Sequence, residues 1–320
     1  MYEFGVVGCG VIGTRLAETL ADHPDATVRA ACDTDADRVE EFADTYDCVA
    51  HRDHTDLVGD DSVDVVYVGV PPVGHVPVGT DALAAGKHLL CEKPIAPTAT
   101  GGETLVDAAA ETDRVAGVNL PFRYTPGFRE LRRRVSDGDV GEVRRVDLRF
   151  RFPRWPREWQ DVAWLESREQ GGPIREVGTH FLFGVDETFG PVERLTAETQ
   201  YDGPERHETS VVGSFAVDGV HGTLDLATGV ADDEENSITV LGTEGKLTLT
   251  DWHRLVADRG RESERVLVDD RAPTTRRLLD EFVAELDGDD GDLVSLSTAT
   301  RIQRVVDAVF ASDGESVALE

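Results

Sequence analysis

Apolar positions over roughly the first 120 residues fall into short β-rich runs separated by segments with helical spacing. Residues 2–7 read as a strand, 12–21 as a helix closed by Pro24, 27–32 as a second strand and 35–46 as a helix. A short third strand is predicted at 48–51. The run Val-Asp-Val-Val-Tyr-Val-Gly-Val at 63–70 has the uninterrupted β-branched character of a strand buried on both faces. A helix at 76–85 leads to a strand at 88–91, and a helix at 102–111 leads to a strand at 114–119. Strand–helix alternation at this spacing predicts a parallel, doubly wound sheet.

The pattern changes after Val140. Alternating β-rich segments appear at 143–152, 194–201, 209–217, 221–227 and 237–249, several separated by Gly-containing turns such as Asp218-Gly219 and Thr243-Glu244-Gly245. Helical spacing returns at 274–287 and 296–311. The chain is therefore α/β, with a parallel-sheet N-terminal part and a second part dominated by hairpin-connected strands.

Gly8-Cys9-Gly10-Val11-Ile12-Gly13 follows the first predicted strand and opens the first helix, the context in which G-x-G-x-x-G reads as a dinucleotide-binding turn. Gly8 permits the tight turn, Gly10 lets the backbone approach a pyrophosphate, and Gly13 allows close helix–strand packing. Val11 and Ile12 supply amides of the first helical turn, where a diphosphate meets the positive end of the helix. Asp33, at the end of the second strand, suits the adenosine ribose hydroxyls and repels a 2′-phosphate, which favours NAD over NADP. Thr34 and Arg38 beside it leave NADP open, and Asp33 equally suits a helix N-cap.

Composition narrows the partners. The chain has 320 residues, long enough for two domains, and a formal charge of −31 that disfavours nucleic acid or an anionic membrane as partner. No apolar stretch has the length of a membrane span, and no secretory signal precedes the first strand, so a cytoplasmic protein is expected. Cys9, Cys32, Cys48 and Cys91 have no disulfide or zinc spacing and read as reduced thiols. Acidity spread along the chain, with scarce lysine, points to a salt-rich cytoplasm, where molar salt shortens the Debye length to about 3 Å. The His51-Arg52-Asp53-His54-Thr55-Asp56 run has ligand-type residues, but no distant Cys/His set completes four ligands, so no metal site is assigned.

Lysine occurs only at Lys87, Lys93 and Lys246, against 29 arginines. Arginine does not deprotonate in proteins, whereas a lysine near a reacting oxygen can donate and shift its pKa. Lys93 lies in Cys91-Glu92-Lys93-Pro94 at the end of a predicted strand; Lys87 and Lys246 read as turn residues. His75, after Pro71-Pro72-Val73-Gly74, lies at the carboxyl end of the buried strand, the side on which ligands collect in such sheets.

In order along the chain, Gly8–Gly13, Asp33, Pro71-Pro72…His75, Ala84-Ala85-Gly86-Lys87-His88 and Glu92-Lys93-Pro94 resemble the Gfo/Idh/MocA oxidoreductases. Arg123-Tyr124-Thr125-Pro126 and Gly138-Asp139-Val140-Gly141-Glu142-Val143 are similar to that family's entry into its second domain. The segment Gly171-Gly172-Pro173-Ile174-Arg175-Glu176-Val177-Gly178-Thr179-His180, with Asp186, resembles its catalytic helix.

The resemblance implies a dinucleotide-binding Rossmann domain over 1–121 and a substrate and oligomerisation domain over 122–320. The second domain would carry a large, mostly antiparallel sheet with one open face, and the last helix, 296–311, would pack back on the first domain. It implies hydride transfer between NAD and a hydroxyl-bearing carbon of a sugar, sugar acid or cyclitol, in a homodimer or homotetramer assembled through the C-terminal sheet. Lys93 would hydrogen-bond the reacting oxygen and His180 would be the general acid/base, with Glu176 one α-helical turn earlier on the same side. Pro71, His75 and Glu92 join the glycine turn and Asp33 as cofactor contacts. Glu176 stands where the family usually has Asp.

Residues 122–175 hold 13 arginines against 9 acidic residues and three of the four tryptophans. Arg123, Trp155 and Arg175 are therefore candidate substrate contacts, by stacking on a sugar face or by binding an anionic group. The competing reading makes them arginines on a connecting surface and packed loop aromatics. Two other activities stay open: a non-catalytic, dinucleotide-responsive regulator of the same fold, and a reductase of a non-sugar ligand such as a linear tetrapyrrole, similar to biliverdin reductase.

Overall fold

The computed structural model describes residues 1–160, 162–260 and 264–319. The chain divides into two compact units, one formed by 1–121 and 273–300, the other by 122–272 and 301–320.

In the first unit, β1 (Tyr2–Val7), α1 (Val11–Ala21), β2 (Ala26–Cys32), α2 (Ala36–Tyr46), β3 (Val49–His51), α3 (His54–Val58) and β4 (Val65–Val68) alternate as expected. They continue into α4 (His75–Ala84), β5 (His88–Glu92), α5 (Ala99–Ala110) and β6 (Ala116–Asn119). These strands pair in parallel in the order β6-β5-β4-β1-β2-β3. Strand order reverses between β1 and β4, the crevice where open α/β sheets bind ligands. Val65, Val66, Tyr67 and Val68 are all fully buried, which is why β4 carries no polar alternation.

α5 begins at Ala99 under a Thr98 cap, three residues before the expected start. Gly101 and Gly102, which weaken helical propensity, are needed for close approach: a Cβ on Gly102 would lie 2.6 Å from Thr300 Oγ1. Lys87 is not a turn residue. Its Nζ donates to the carbonyls of Asp60 and Val63, both at 2.8 Å, and it is 9% exposed.

The second unit opens on α6 (Pro126–Ser136) and β7 (Val143–Phe152). A π-helical turn at Ile174–Gly178 runs into α7 (Thr179–Phe189). β8 (Arg194–Tyr201), β9 (Glu208–Val217), β10 (Val220–Thr228), β11 (Glu235–Gly242), β12 (Lys246–Thr250), β13 (Arg254–Asp258) and β14 (Arg265–Asp269) follow. The predicted single segment at 237–249 is two strands, β11 and β12, and the sequence pattern did not reveal β13, β14 or α6.

The chain returns to the first unit as α8 (Thr274–Leu286) and β15 (Val294–Ser295), the latter adding antiparallel to β6. α9 (Leu296–Ala311) starts in the first unit and continues in the second, where β16 (Val317–Ala318) pairs with β8. The second sheet runs β14-β13-β12-β11-β7-β10-β9-β8-β16 and is antiparallel except for the β7–β10 pair.

β7 shows how this sheet divides its faces. Val146, Leu148, Phe150 and Phe152 are buried, and Phe150 meets Phe181 of α7 edge-on at 5.2 Å between ring centroids. Alternate residues Arg145, Asp147, Arg149 and Arg151 lie on the other face, where Arg151 pairs with Asp225 and Asp147 accepts from Thr223. That face is open and polar. Among the described residues, no helix is long and apolar enough to cross a membrane.

Candidate functional site

In the first unit the glycine turn lies at the sheet's reversal point. Gly8 has φ +102, and a Cβ there would come within 2.5 Å of the Gly69 carbonyl at the end of β4. A Cβ on Gly13 would strike the Gly8 carbonyl at 1.9 Å, so the helix lies on the turn itself. Gly10 is different: nothing lies within 4 Å of its missing Cβ, and as N-cap of α1 it offers no side chain to the first-turn amides. Val11 and Ile12 are 55% and 39% exposed beside it. An uncapped helix N-terminus with an open glycine cradle fits a dinucleotide diphosphate.

Asp33 accepts from the Cys9 amide at 3.0 Å and from Asp35 N at 3.0 Å, so its carboxylate pins the glycine turn to β2. The cap of α2 is Asp35, which accepts from Arg38 N; Asp33 is therefore not the N-cap that its position suggested. Arg38 Nη1 lies 3.4 Å from both Asp33 oxygens.

Lys93 is half-buried at the carboxyl end of β5, two strands from β1 in the same sheet. Beneath it Glu92 is 8% exposed and turned inward. Its carboxylate accepts from Tyr67 Oη at 2.8 Å, from Asn119 Nδ2 and from the Lys93 amide at 3.2 Å. Burial pushes the Glu92 carboxyl above the usual range, while the Lys93 charge and these donors pull it back. Glu92 thus acts in this unit as a bracket across the ends of β4, β5 and β6.

His75 is 1% exposed, with Nδ1 2.9 Å from the Pro94 carbonyl and Nε2 2.8 Å from that of Val70. Both ring nitrogens face main-chain oxygens, so His75 clamps the loop after β4 to the Lys93-Pro94 turn instead of presenting a nitrogen to a ligand. Burial lowers its pKa, while the carbonyls around it act in the opposite direction. Pro71 is exposed in that same loop. His54 pairs with Asp81 at 2.9 Å, and among the described residues no group of three or more His, Cys, Asp or Glu could hold a metal ion.

In the second unit Glu176 and His180 are both half-buried, but the turn between them is π-helical, not the α-helical turn expected from their spacing. Such wide turns recur at functional positions in helices. Glu176 Oε1 accepts from Gln160 Nε2 at 3.3 Å. The His180 ring sits edge-on to Trp252, 4.8 Å away at 88°, and to Phe122, 6.0 Å away at 68°.

Glu208, 1% exposed, accepts from Ile174 N at 2.7 Å and so holds the start of the π turn. Burial raises its pKa to about 7 against the opposing pull of the Ile174 amide and Arg175. Asp186 is tied to Arg301 by two bonds of 2.7 Å and anchors α7.

The candidate substrate contacts are packed into the second unit. Trp155 is 8% exposed and donates to the Leu165 carbonyl at 3.1 Å. Arg175, also 8% exposed, donates to the carbonyls of Arg168 and Gly171 and stacks on Phe310. Arg123 bonds Glu187 at 2.8 Å. Most of the arginine excess is paired in the same way, to Glu130, Asp147, Asp225 and Glu234.

Sequence reasoning missed Tyr67, Asn119, Gln160, Glu208 and Trp252. The signal that could have found Trp252 was the break in alternation between Leu249 and Leu255, which marks a hairpin turn.

Comparison with known proteins places the two units. Residues 2–120 match the model of an oxidoreductase family with an NAD-binding Rossmann fold, and residues 128–248 match a Gfo/Idh/MocA C-terminal domain. The dTDP-3,4-didehydro-2,6-dideoxy-alpha-D-glucose 3-reductase of Streptomyces antibioticus is 29% identical over 249 residues, 77% of this chain and 75% of the relative. The inositol 2-dehydrogenase of Salmonella typhimurium is 32% identical over 145 residues, 43% of this chain and 42% of the relative.

Among solved structures, an oxidoreductase from Thermotoga maritima has a TM-score of 0.88 at 20% identity, covering 99% of this chain and 98% of the other. The WlbA dehydrogenase of Bordetella pertussis, solved with NADH and UDP-GlcNAcA, has a TM-score of 0.86 at 20% identity over 100% of this chain and 98% of that one. At that identity the structural likeness establishes the fold; the two family matches, each covering one half of the architecture, establish descent. The chain belongs to the Gfo/Idh/MocA family of NAD-binding oxidoreductases.

Proposed function

We propose that this protein is an NAD-dependent dehydrogenase or reductase that exchanges hydride with a hydroxyl-bearing carbon of a sugar, sugar acid or cyclitol. One observation carries the reading: the open, uncapped glycine turn and Lys93 lie at the carboxyl ends of the same parallel sheet. When bound, NAD supplies the hydride acceptor or donor. Gly8, Gly10 and Gly13 with the first-turn amides of Val11 and Ile12 would hold its diphosphate, and Asp33 would face the ribose and disfavour a 2′-phosphate.

In this reading Lys93 donates a hydrogen bond to the reacting oxygen, and His180 takes or returns the hydroxyl proton, with Glu176 beside the substrate. Glu92, whose carboxylate accepts from the Lys93 amide, would hold the Lys93 segment in place. Internal pairing of the arginines supports recognition through hydroxyls over recognition of an anionic group. The sugar-nucleotide reductase and inositol dehydrogenase relatives support the same substrate class. We further propose a homodimer or homotetramer joined through the open sheet face, working in a salt-rich cytoplasm.

The test is cofactor reduction across sugars, sugar acids and cyclitols in molar KCl, with NAD⁺ and NADP⁺ in parallel. Lys93→Ala and His180→Ala are each expected to lower turnover by about 10²–10⁴-fold while dinucleotide binding persists. Near-wild-type rates in both variants would overturn the assignment. The salt proposal predicts a melting temperature that falls as KCl is diluted, because self-repulsion at −31 is then less screened; a flat response counts against it.

A further inference from the structure

The fourth tryptophan, outside the arginine-rich stretch, lies where the backbone resists it. Asp251 and Trp252 form the centre of the turn joining β12 to β13, with φ +52 and +70, and the turn is closed by His253 N–H on the Thr250 carbonyl at 3.3 Å. Left-handed backbone is tolerated by Asp through its short polar side chain, and hairpin turns that need it at both positions favour Asn-Gly or Asp-Gly. A bulky aromatic there is an outlier that persists only when its surroundings hold it.

The surroundings are specific. The indole meets Phe181 at 5.2 Å, Phe122 at 5.9 Å and His180 at 4.8 Å, the last nearly perpendicular and the closest of the three. The turn itself is fixed: Asp251 N donates to the Asn236 carbonyl at 3.1 Å, and Gly127 of α6 comes so close that a Cβ on it would lie 2.8 Å from the His253 carbonyl. A histidine's second torsion is broad and roughly two-fold, so backbone position alone does not set the plane of an imidazole. Groups in contact with the ring do so, and the Trp252 indole is the nearest of the aromatic rings around it.

We propose that Trp252 is a positioning residue that fixes the plane of the His180 imidazole, the strained turn serving as its rigid mount. This rests on the reading of His180 as the acid/base. The indole has no proton to exchange at neutral pH and acts through His180, by orientation and by the environment it gives the imidazolium.

The experiment uses the full chain with Trp252→Gly, Trp252→Leu, Trp252→Phe and, as control, His180→Ala. Two readouts are taken: the NMR titration of the His180 ring, assigned by its loss in His180→Ala, and kcat and KM on the best substrate of the panel. Trp252→Gly and Trp252→Leu should each lower kcat about tenfold or more, with KM changed by less than about threefold. Both should move the His180 midpoint by about half a pH unit or more. Trp252→Phe should restore most of the rate.

Wild-type titration and wild-type kcat in the Leu or Gly variant would overturn the proposal. Should Trp252→Gly not fold, the Leu and Phe variants decide in the same way. The titration needs no turnover: if His180→Ala keeps its rate while Trp252→Leu still moves the midpoint, the acid/base reading fails and the contact stands.

Discussion

Lys93 and His180 are held by opposite physics. Lys93 adjoins polar groups: its main-chain amide donates to the buried Glu92 carboxylate, which Tyr67 and Asn119 also hold across three strand ends. His180 rests on rings, among Phe122, Phe181 and Trp252. A point charge on a flexible stem needs an opposing charge to locate it, and the stem tolerates small shifts in its support. A planar ring needs walls. Polar support therefore tunes a charge, whereas aromatic support fixes an angle, and the two should fail differently.

The largest contrast is expected from deleting a wall. Phe181→Ala removes a fully buried ring that also packs on Phe150 and should cost about 3–5 kcal/mol in urea unfolding, with loss of the His180 environment. A loss below about 1 kcal/mol would show that the cluster is not structural support.

A slightly smaller effect tests a buried polar group on the His180 side. Glu208 has a native pKa near 7, above its unfolded value, so the folded state holds an extra proton between about pH 4.5 and 7. Its contribution is therefore most favourable below that window and is lost as pH rises through it, by up to roughly 3 kcal/mol. Arg175 and Tyr201 are the charged and titratable groups facing it. Glu208→Gln, which keeps an acceptor for Ile174 N, should flatten the fall in melting temperature between pH 5 and 8; an unchanged slope would remove Glu208 as its source.

The smallest effect should come from the Lys93 side. Tyr67→Phe removes one of three donors to Glu92 and should cost about 1–2 kcal/mol, with a shift of the basic limb of the pH–rate profile and kcat reduced only a few fold. A collapse of activity as deep as that of Lys93→Ala would erase the distinction between tuning and fixing.

The same contrast explains what the sequence disclosed. Supports for Lys93 lie on regular strands whose period, together with the glycine turn at Gly8–Gly13, is local and readable. Alternation likewise placed β7 and β8 with their observed bounds. The His180 surroundings come from distant segments: Phe122 before α6, Trp252 in a hairpin turn, and a wide helical turn at Ile174–Gly178 that no propensity announces. Arg175 and Trp155 were attractive as ligand contacts because residue type was visible and burial was not. The early start of α5 was hidden for a related reason, since Gly101 and Gly102 are determined by tight packing.

The buried Lys87 has a practical consequence. Its ammonium is enclosed by two carbonyls, and Lys246 is paired across strands with Asp258 at 3.3 Å. Of the three lysines, only Lys93 stands at the carboxyl ends of the parallel sheet that carries the glycine turn. On a surface so poor in such groups, peptide mapping after brief amine labelling would follow dinucleotide protection at Lys93, with Lys246 and the N-terminal amine as internal controls.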